Sequence, residues 1–186
     1  MTILKKVLEL IMDILETVTF VGSLFIVMYL FVAQPHQVRG ASMDNTFING
    51  EYIITNKLAY RVGTYKRGDV VVFDSPENPD VDYIKRIVGL PGDRIKIQGG
   101  YVYVNDKILN EPYLHATTTA FDNGYLTEGQ EIIVPAGRLW VMGDNRPRSS
   151  DSRSFGPVKE STIVGRVFFR YFPIDRAGLI KNPFAQ

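Results

Sequence analysis

Tyr83-Ile84-Lys85-Arg86-Ile87-Val88 runs without a break into Gly89-Leu90-Pro91-Gly92-Asp93. The first six residues have the composition of a β-strand, and the five that follow form a turn. Side chains alternate across a strand, so Tyr83, Lys85 and Ile87 share one face and Arg86 takes the other. A lysine on a mostly apolar strand either snorkels its ammonium to water or gives up its charge. In the second case it is a base, and the chain has few others: two histidines and no cysteine. Arg86 reads as a salt-bridge or backbone anchor rather than a second cation at the same site.

Similar runs recur on both sides of this strand. They cover residues 52–55, 69–73, 94–97, 101–104, 131–134, 138–142 and 164–171, separated by Lys66-Arg67-Gly68-Asp69, Gln98-Gly99-Gly100, Asn105-Asp106 and Pro135-Ala136-Gly137. Gln98-Gly99-Gly100 between two alternating runs predicts a tight hairpin. The fold class is therefore mainly β and antiparallel, without internal repeats. Residues 110–130 are less regular, rich in Thr, Gly and Asn, and read as an excursion or insertion.

The N-terminus departs from this pattern. Thr17 to Ala33 reads TVTFVGSLFIVMYLFVA with no charge, and apolar turns upstream can extend it. That suits a single transmembrane helix. Lys5 and Lys6 precede it, which favours the N-terminus inside and the rest outside. Glu9, Asp13 and Glu16 fall at helical spacing, on one face at the lipid headgroups. The exit Leu30-Phe31-Val32-Ala33-Gln34-Pro35 is a poor cleavage site, so a permanent anchor is expected rather than a removed signal peptide. The expected organisation is a cytoplasmic or interfacial segment 1–16, an anchor 17–34 and an extracytoplasmic β domain 35–186.

The 186 residues suit one domain with a short appendage, and 45% hydrophobic content is enough for a sizeable core. A formal charge of +1 gives no footprint for nucleic acid. Without cysteine, disulfides, thiolate catalysis and zinc-thiolate sites are excluded. His36 and His115 read as surface residues, because no second ligand stands at metal spacing.

Ser42 lies in Gly40-Ala41-Ser42-Met43-Asp44-Asn45-Thr46, nine residues beyond Ala33. A serine nucleophile needs a base, and lysine serves in known Ser-Lys variants of the triad. At the reference pKa only about one lysine in 2,500 is neutral at pH 7, so burial has to lower it by about 3 units. A second polar cluster, Gly143-Asp144-Asn145-Arg146 through Ser149, Asp151, Arg153 and Gly156, follows an apolar strand and is thus delivered to a fixed place.

Taken in order, these features resemble the bacterial type I signal peptidases over nearly the whole chain. The matching motifs are the span, Ser42-Met43 with Thr46, Arg67-Gly68-Asp69-Val70-Val71-Val72-Phe73, Lys85-Arg86-x-x-Gly89-x-Pro91-Gly92-Asp93, and the loop from Gly143 to Gly156. The resemblance implies a single-pass serine endopeptidase of the cytoplasmic membrane that cuts signal peptides from secretory preproteins. It implies that Ser42 is the nucleophile, Lys85 the general base and Ser149 the hydroxyl orienting the amine. Asp144, Arg146, Asp151 and Arg153 then brace the loop, their spacing offering two Asp-x-Arg pairs. The oxyanion falls to the Ser42 N–H, since Gly40 stands where some members carry a helping hydroxyl. Small residues at the first and third positions before the cut, contact with membrane lipid, a monomer, and no metal or other cofactor complete the expectation.

One departure is Asn45, where the family commonly has proline. Asparagine can close a similar turn, so Asn45→Pro is expected to keep or raise cleavage. Arg67-Gly68-Asp69 reads as a strand-entry turn rather than an adhesion motif. Phe168, Phe169, Tyr171 and Phe172 fit either a bilayer contact or the β core. The rival readings are a self-cleaving repressor, which lacks its DNA-binding module here, and a non-catalytic membrane-anchored β module. The short tether keeps Ser42 within roughly 30 Å of the membrane.

Overall fold

The computed structural model describes residues 2–78 and 80–184. It begins with α1, Thr2–Val27, which loosens into a wider π turn at Met28–Val32. The apolar stretch Ile3–Val32 holds 30 residues, none buried against the rest of the protein. At 1.5 Å per residue it is about 45 Å long, more than the roughly 30 Å hydrocarbon core of a bilayer requires. The helix is thus continuous through residues 2–16, and the chain is already extended at Ala33.

Among the described residues twelve strands follow: β1 Ala33–Gln37, β2 Tyr52–Asn56, β3 Val70–Asp74, β4 Asp82–Gly89, β5 Arg94–Gln98, β6 Tyr101–Val104, β7 Lys107–Ile108, β8 Glu131–Ile133, β9 Arg138–Met142, β10 Val158–Lys159, β11 Ile163–Phe172 and β12 Gly178–Leu179. Eight form one antiparallel sheet, in the order β1-β2-β11-β3-β4-β9-β10 with β12 also on β11; the other four run β7-β6-β5-β8. Every run read as β from the sequence is a strand. β1 escaped the reading because Pro35 interrupts it. Proline is tolerated there because β1 is an edge strand. The two-residue strands β7, β10 and β12 are too short to carry a period.

The β5–β6 hairpin pairs Gln98 with Tyr101. Gly99 and Gly100 sit at φ 60° and 86°, the left-handed pair a two-residue turn needs.

Both faces of the larger sheet are covered. Val38, Met43, Phe47, Ile53, Val70, Val72 and Val167 form one core, with Ile84 against it. Val71, Phe73, Ile87, Leu139, Val141 and Val158 form a second, which Tyr83 joins. A third, around Trp140, Val88, Ile95 and Ile97, joins the two sheets. Strand β4 is therefore buried on both sides, which its alternation alone could not reveal. It pairs with β3 along Asp82–Arg86, but with β9 only from Arg86 onward. Residues 82–85 keep one edge open.

Candidate active site

The Ser42 turn is built from its own backbone and clamped from outside. The Ala41 carbonyl accepts from Asp44 N at 3.2 Å, and the Met43 carbonyl from Thr46 N at 3.1 Å and Phe47 N at 2.8 Å. Met43 and Phe47 are buried and plug the turn into the core below. Asn145, absent from the expected site residues, holds it from above: its N–H donates to the Ser42 carbonyl at 3.0 Å, and its side-chain amide to the Ala41 carbonyl at 2.9 Å. Asn45 occupies the left-handed region at φ 93°. Proline is fixed near −65°, so the expected tolerance of Asn45→Pro is at odds with this backbone.

Lys85 leaves the open part of β4 and is only 4% exposed. Its Nζ lies 2.9 Å from Ser42 Oγ and 3.1 Å from the Ile84 carbonyl, with the Tyr83 ring 4.9 Å away. None of the ion pairs among the described residues includes it. Burial lowers its pKa from 10.5 to about 8, against the weaker upward pull of Asp151, Glu77 and Asp144. At that value about one lysine in ten is neutral at pH 7.

Arg86 points the other way. Its Nε and Nη2 donate to Asp144 at 2.9 and 2.6 Å, and its Nη1 to the Gly68 carbonyl at 2.8 Å. The strand-entry turn at Arg67-Gly68-Asp69 is thereby tied to the site. Asp144 also accepts from Thr46 Oγ1, which links this pair to the Ser42 turn.

The loop after β9 departs from its expected pairing in one half. Asp151 and Arg153 do pair, with both contacts at 2.8 Å and neither side chain exposed. Asp151 also accepts from Gly143 N at 3.1 Å, and its side chain caps α2, Ser152–Phe155. Asp144 and Arg146 do not pair. Asp144 is taken by Arg86, and Arg146 by Glu111, 35 residues upstream, with Thr118 as a further partner. Glu111 and Thr118 belong to the irregular 110–130 segment, which contains no strand and packs over this loop.

Ser149 is 5% exposed, and its hydroxyl has no hydrogen-bond partner among the described residues. The amine of Lys85 is bonded elsewhere, to Ser42 and Ile84. Ser149 nonetheless lies against the site: a Cβ on Gly143 would collide with its hydroxyl and with the Ser42 carbonyl. Only glycine lets these two chains approach so closely.

A cleft of about 500 Å³ opens beside Ser42 and Lys85, between β1 and β4, with Val38, Ile53, Val72 and Ile84 along it. His36 lines it, with a side chain only 12% exposed. Its reading as a surface residue is corrected, because β1 turns that side chain onto the sheet; His115 is exposed. Of the C-terminal aromatics, Phe168 and Phe169 are half-buried while Tyr171 and Phe172 are exposed.

The family described as signal peptidase, peptidase S26, matches residues 11–172. Signal peptidase IB of Staphylococcus aureus (strain MRSA252) is 34% identical over 185 residues, covering 92% of this chain and 96% of its own. Signal peptidase I of Bacillus caldolyticus is 44% identical over 154 residues, covering 79% and 84%. The crystal structure of a signal peptidase I from Enterococcus faecalis V583 is 31% identical, covers 56% of this chain and 97% of its own, and gives a TM-score of 0.47. A Ser-Lys dyad is a general property of this family. Matched nearly from end to end, the chain belongs to the signal peptidase family, peptidase S26, and is a serine peptidase that cleaves signal peptides.

Proposed function

We propose that Ser42 is the nucleophile, that Lys85 is its general base, and that the substrate is an exported preprotein laid as an added strand along residues 82–85 of β4. The observation that carries this is the 2.9 Å contact between Ser42 Oγ and an amine that burial has brought close to neutrality. Once Lys85 is neutral the Ser42 hydroxyl donates to its lone pair. Ser42 Oγ then attacks the scissile carbonyl, its proton passes to Lys85 Nζ, and the ammonium returns that proton to the leaving amine. Neutral Lys85 next takes a proton from water as it attacks the ester, and the ammonium returns that proton to Ser42 Oγ as the acid leaves. The Ser42 N–H has no acceptor among the described residues and is free for the oxyanion.

A neutral amine has two N–H groups to direct. One has the Ile84 carbonyl, and the partnerless Ser149 hydroxyl is assigned the other. Asp144, Arg146, Asp151 and Arg153 act through position: they hold the Gly143–Gly156 loop so that Ser149 and Asn145 stay against Ser42. The open edge of β4 supports main-chain pairing with an extended peptide. The basic pair Lys5 and Lys6 supports the N-terminus inside and the β domain on the extracytoplasmic face, close to the lipid where preproteins emerge. The enzyme acts as a monomer. A non-catalytic β module has no use for a neutralised lysine against a serine, and the family assignment disfavours it.

Purified protein in detergent with a preprotein tests the roles. Ser42→Ala and Lys85→Ala are each expected to lower cleavage at least about 1,000-fold. Wild-type rates in both variants would sink the dyad.

A further inference from the structure

Glu77 stands in the turn between β3 and β4, does not line the cleft, and has no part in the reaction above. The turn is fixed from within. The hydroxyl of buried Ser75 accepts from Glu77 N and Asn78 N, each at 3.2 Å, and Ser75 N donates to the Val81 carbonyl at 2.9 Å. The Glu77 carboxylate then joins two other elements: its Oε2 accepts from Tyr83 Oη at 3.0 Å and from Ser150 Oγ at 3.2 Å. Ser154 Oγ, also 3.2 Å from Ser150 Oγ, is neutral and the weaker acceptor of the two. The Tyr83 ring lies 4.9 Å from Lys85 Nζ, and Ser150 directly follows Ser149. Among the described residues no hydrogen bond joins residues 149–156 to β4 directly, so the polar tie at this end of the loop runs through Glu77.

The ionisable groups facing the amine are Tyr83 on its own strand, Asp151 and Asp144 from the loop after β9, and Glu77; His36, Asp82 and Arg148 line the same cleft. Asp151 is held by Arg153 and Asp144 by Arg86, and each contacting guanidinium cancels much of its carboxylate's field. Among the described residues no ion pair includes Glu77. Its charge favours the ammonium form of Lys85, whereas burial favours the neutral one. A base with burial alone would take up the Ser42 proton weakly. We propose that Glu77 is a positioning residue of the reaction, strapping the Ser149–Ser150 end of the loop to β4 and supplying uncancelled negative charge to the amine. The proposal rests on the Ser42–Lys85 reading.

Profiles of kcat against pH for the full chain in detergent, compared per folded molecule on one preprotein, separate the two roles. Glu77→Gln keeps an acceptor for both hydroxyls and loses the charge. Its midpoint is expected to fall below that of wild type. At pH 6 its rate, relative to its own high-pH plateau, is then about threefold the wild-type value, while the plateau stays within about twofold. Glu77→Ala loses the strap as well. It is expected to share the lowered midpoint but to reach a plateau about fivefold below that of Glu77→Gln, the yield of one hydrogen bond. Loss of folded protein does not move a midpoint, so a destabilised variant still reports it. A wild-type midpoint in both variants, or equal plateaus in the two, overturns the proposal. Wild-type cleavage by Lys85→Ala would instead overturn the underlying reading.

Discussion

Lys85 and Arg153 are both buried cations at one site, and the protein treats them in opposite ways. Arg153 is fully paired: both carboxylate oxygens of Asp151, the Arg146 carbonyl at 2.6 Å and the Thr119 carbonyl at 2.9 Å receive its hydrogens, and the Phe121 ring stacks on it. Lys85 has a hydroxyl, one carbonyl and an aromatic face, with Asp151, Glu77 and Asp144 acting only from a distance. The first arrangement keeps a charge and makes it structural. The second weakens a charge, which is what the base proposed for Ser42 requires. Burial is common to both, and the contacting carboxylate decides the outcome.

The strongest challenge to this contrast is Arg153→Met, which strands the fully buried Asp151 carboxylate. It is expected to cost about 3–5 kcal/mol, read as a fall in thermal stability in detergent. A harmless substitution would mean that the pair does not brace the loop.

Lys85→Met makes the opposite prediction. A lysine whose folded pKa is depressed carries its full penalty below that value, and the penalty fades as pH rises toward the unfolded value. Relative to wild type, Lys85→Met is therefore expected to be more stable by about 3 kcal/mol at pH 7. The advantage shrinks as pH rises from about 8 to 10.5. Wild-type cleavage is expected to rise with pH through about 8 over the same titration, because the proposed base acts as the neutral amine. Thermal unfolding at pH 7 and pH 10 beside a pH–rate profile checks both. A variant no more stable than wild type at pH 7 would show that Lys85 is not held at a disadvantage.

A smaller effect sharpens the geometry that brings Ser42 to this amine. Asn45→Gly suits φ 93° and is expected to keep cleavage within about twofold, whereas Asn45→Pro is expected to lose more than about 1 kcal/mol of stability and roughly tenfold in rate. Full activity in Asn45→Pro would show that the turn can reach the proline-compatible backbone after all.

Much of this was legible in the chain. The strands were, because period-two alternation and Gly, Pro and Asn turns are local signals. So were Lys85 and Arg86 on opposite faces of one strand and Ser42 as the hydroxyl that would need such a lysine, and the structure brings Ser42 and Lys85 together. Asn145 was visible within Gly143-Asp144-Asn145-Arg146, but nothing local said that an amide there would bind the Ser42 and Ala41 carbonyls. Glu111 left no signal at all. It is one acidic residue in an irregular segment, and its role exists only because that segment folds over the loop. His36 was misread because its burial depends on where the edge strand β1 lands.

By itself the sequence determined the apolar N-terminal helix, the antiparallel β class and the residue types able to form a serine-lysine pair, since hydrophobic run length and periodicity act over a few residues. The tertiary structure alone decided that Asp144 belongs to Arg86 and Arg146 to Glu111, and that, among the described residues, Ser149 Oγ is left without a partner and Lys85 is a buried cation without a contacting carboxylate. The reason is electrostatic: a charge buried beside a carboxylate is stabilised, and one buried away from it is not. Which of the two a residue experiences depends on neighbours dozens of positions away in the chain.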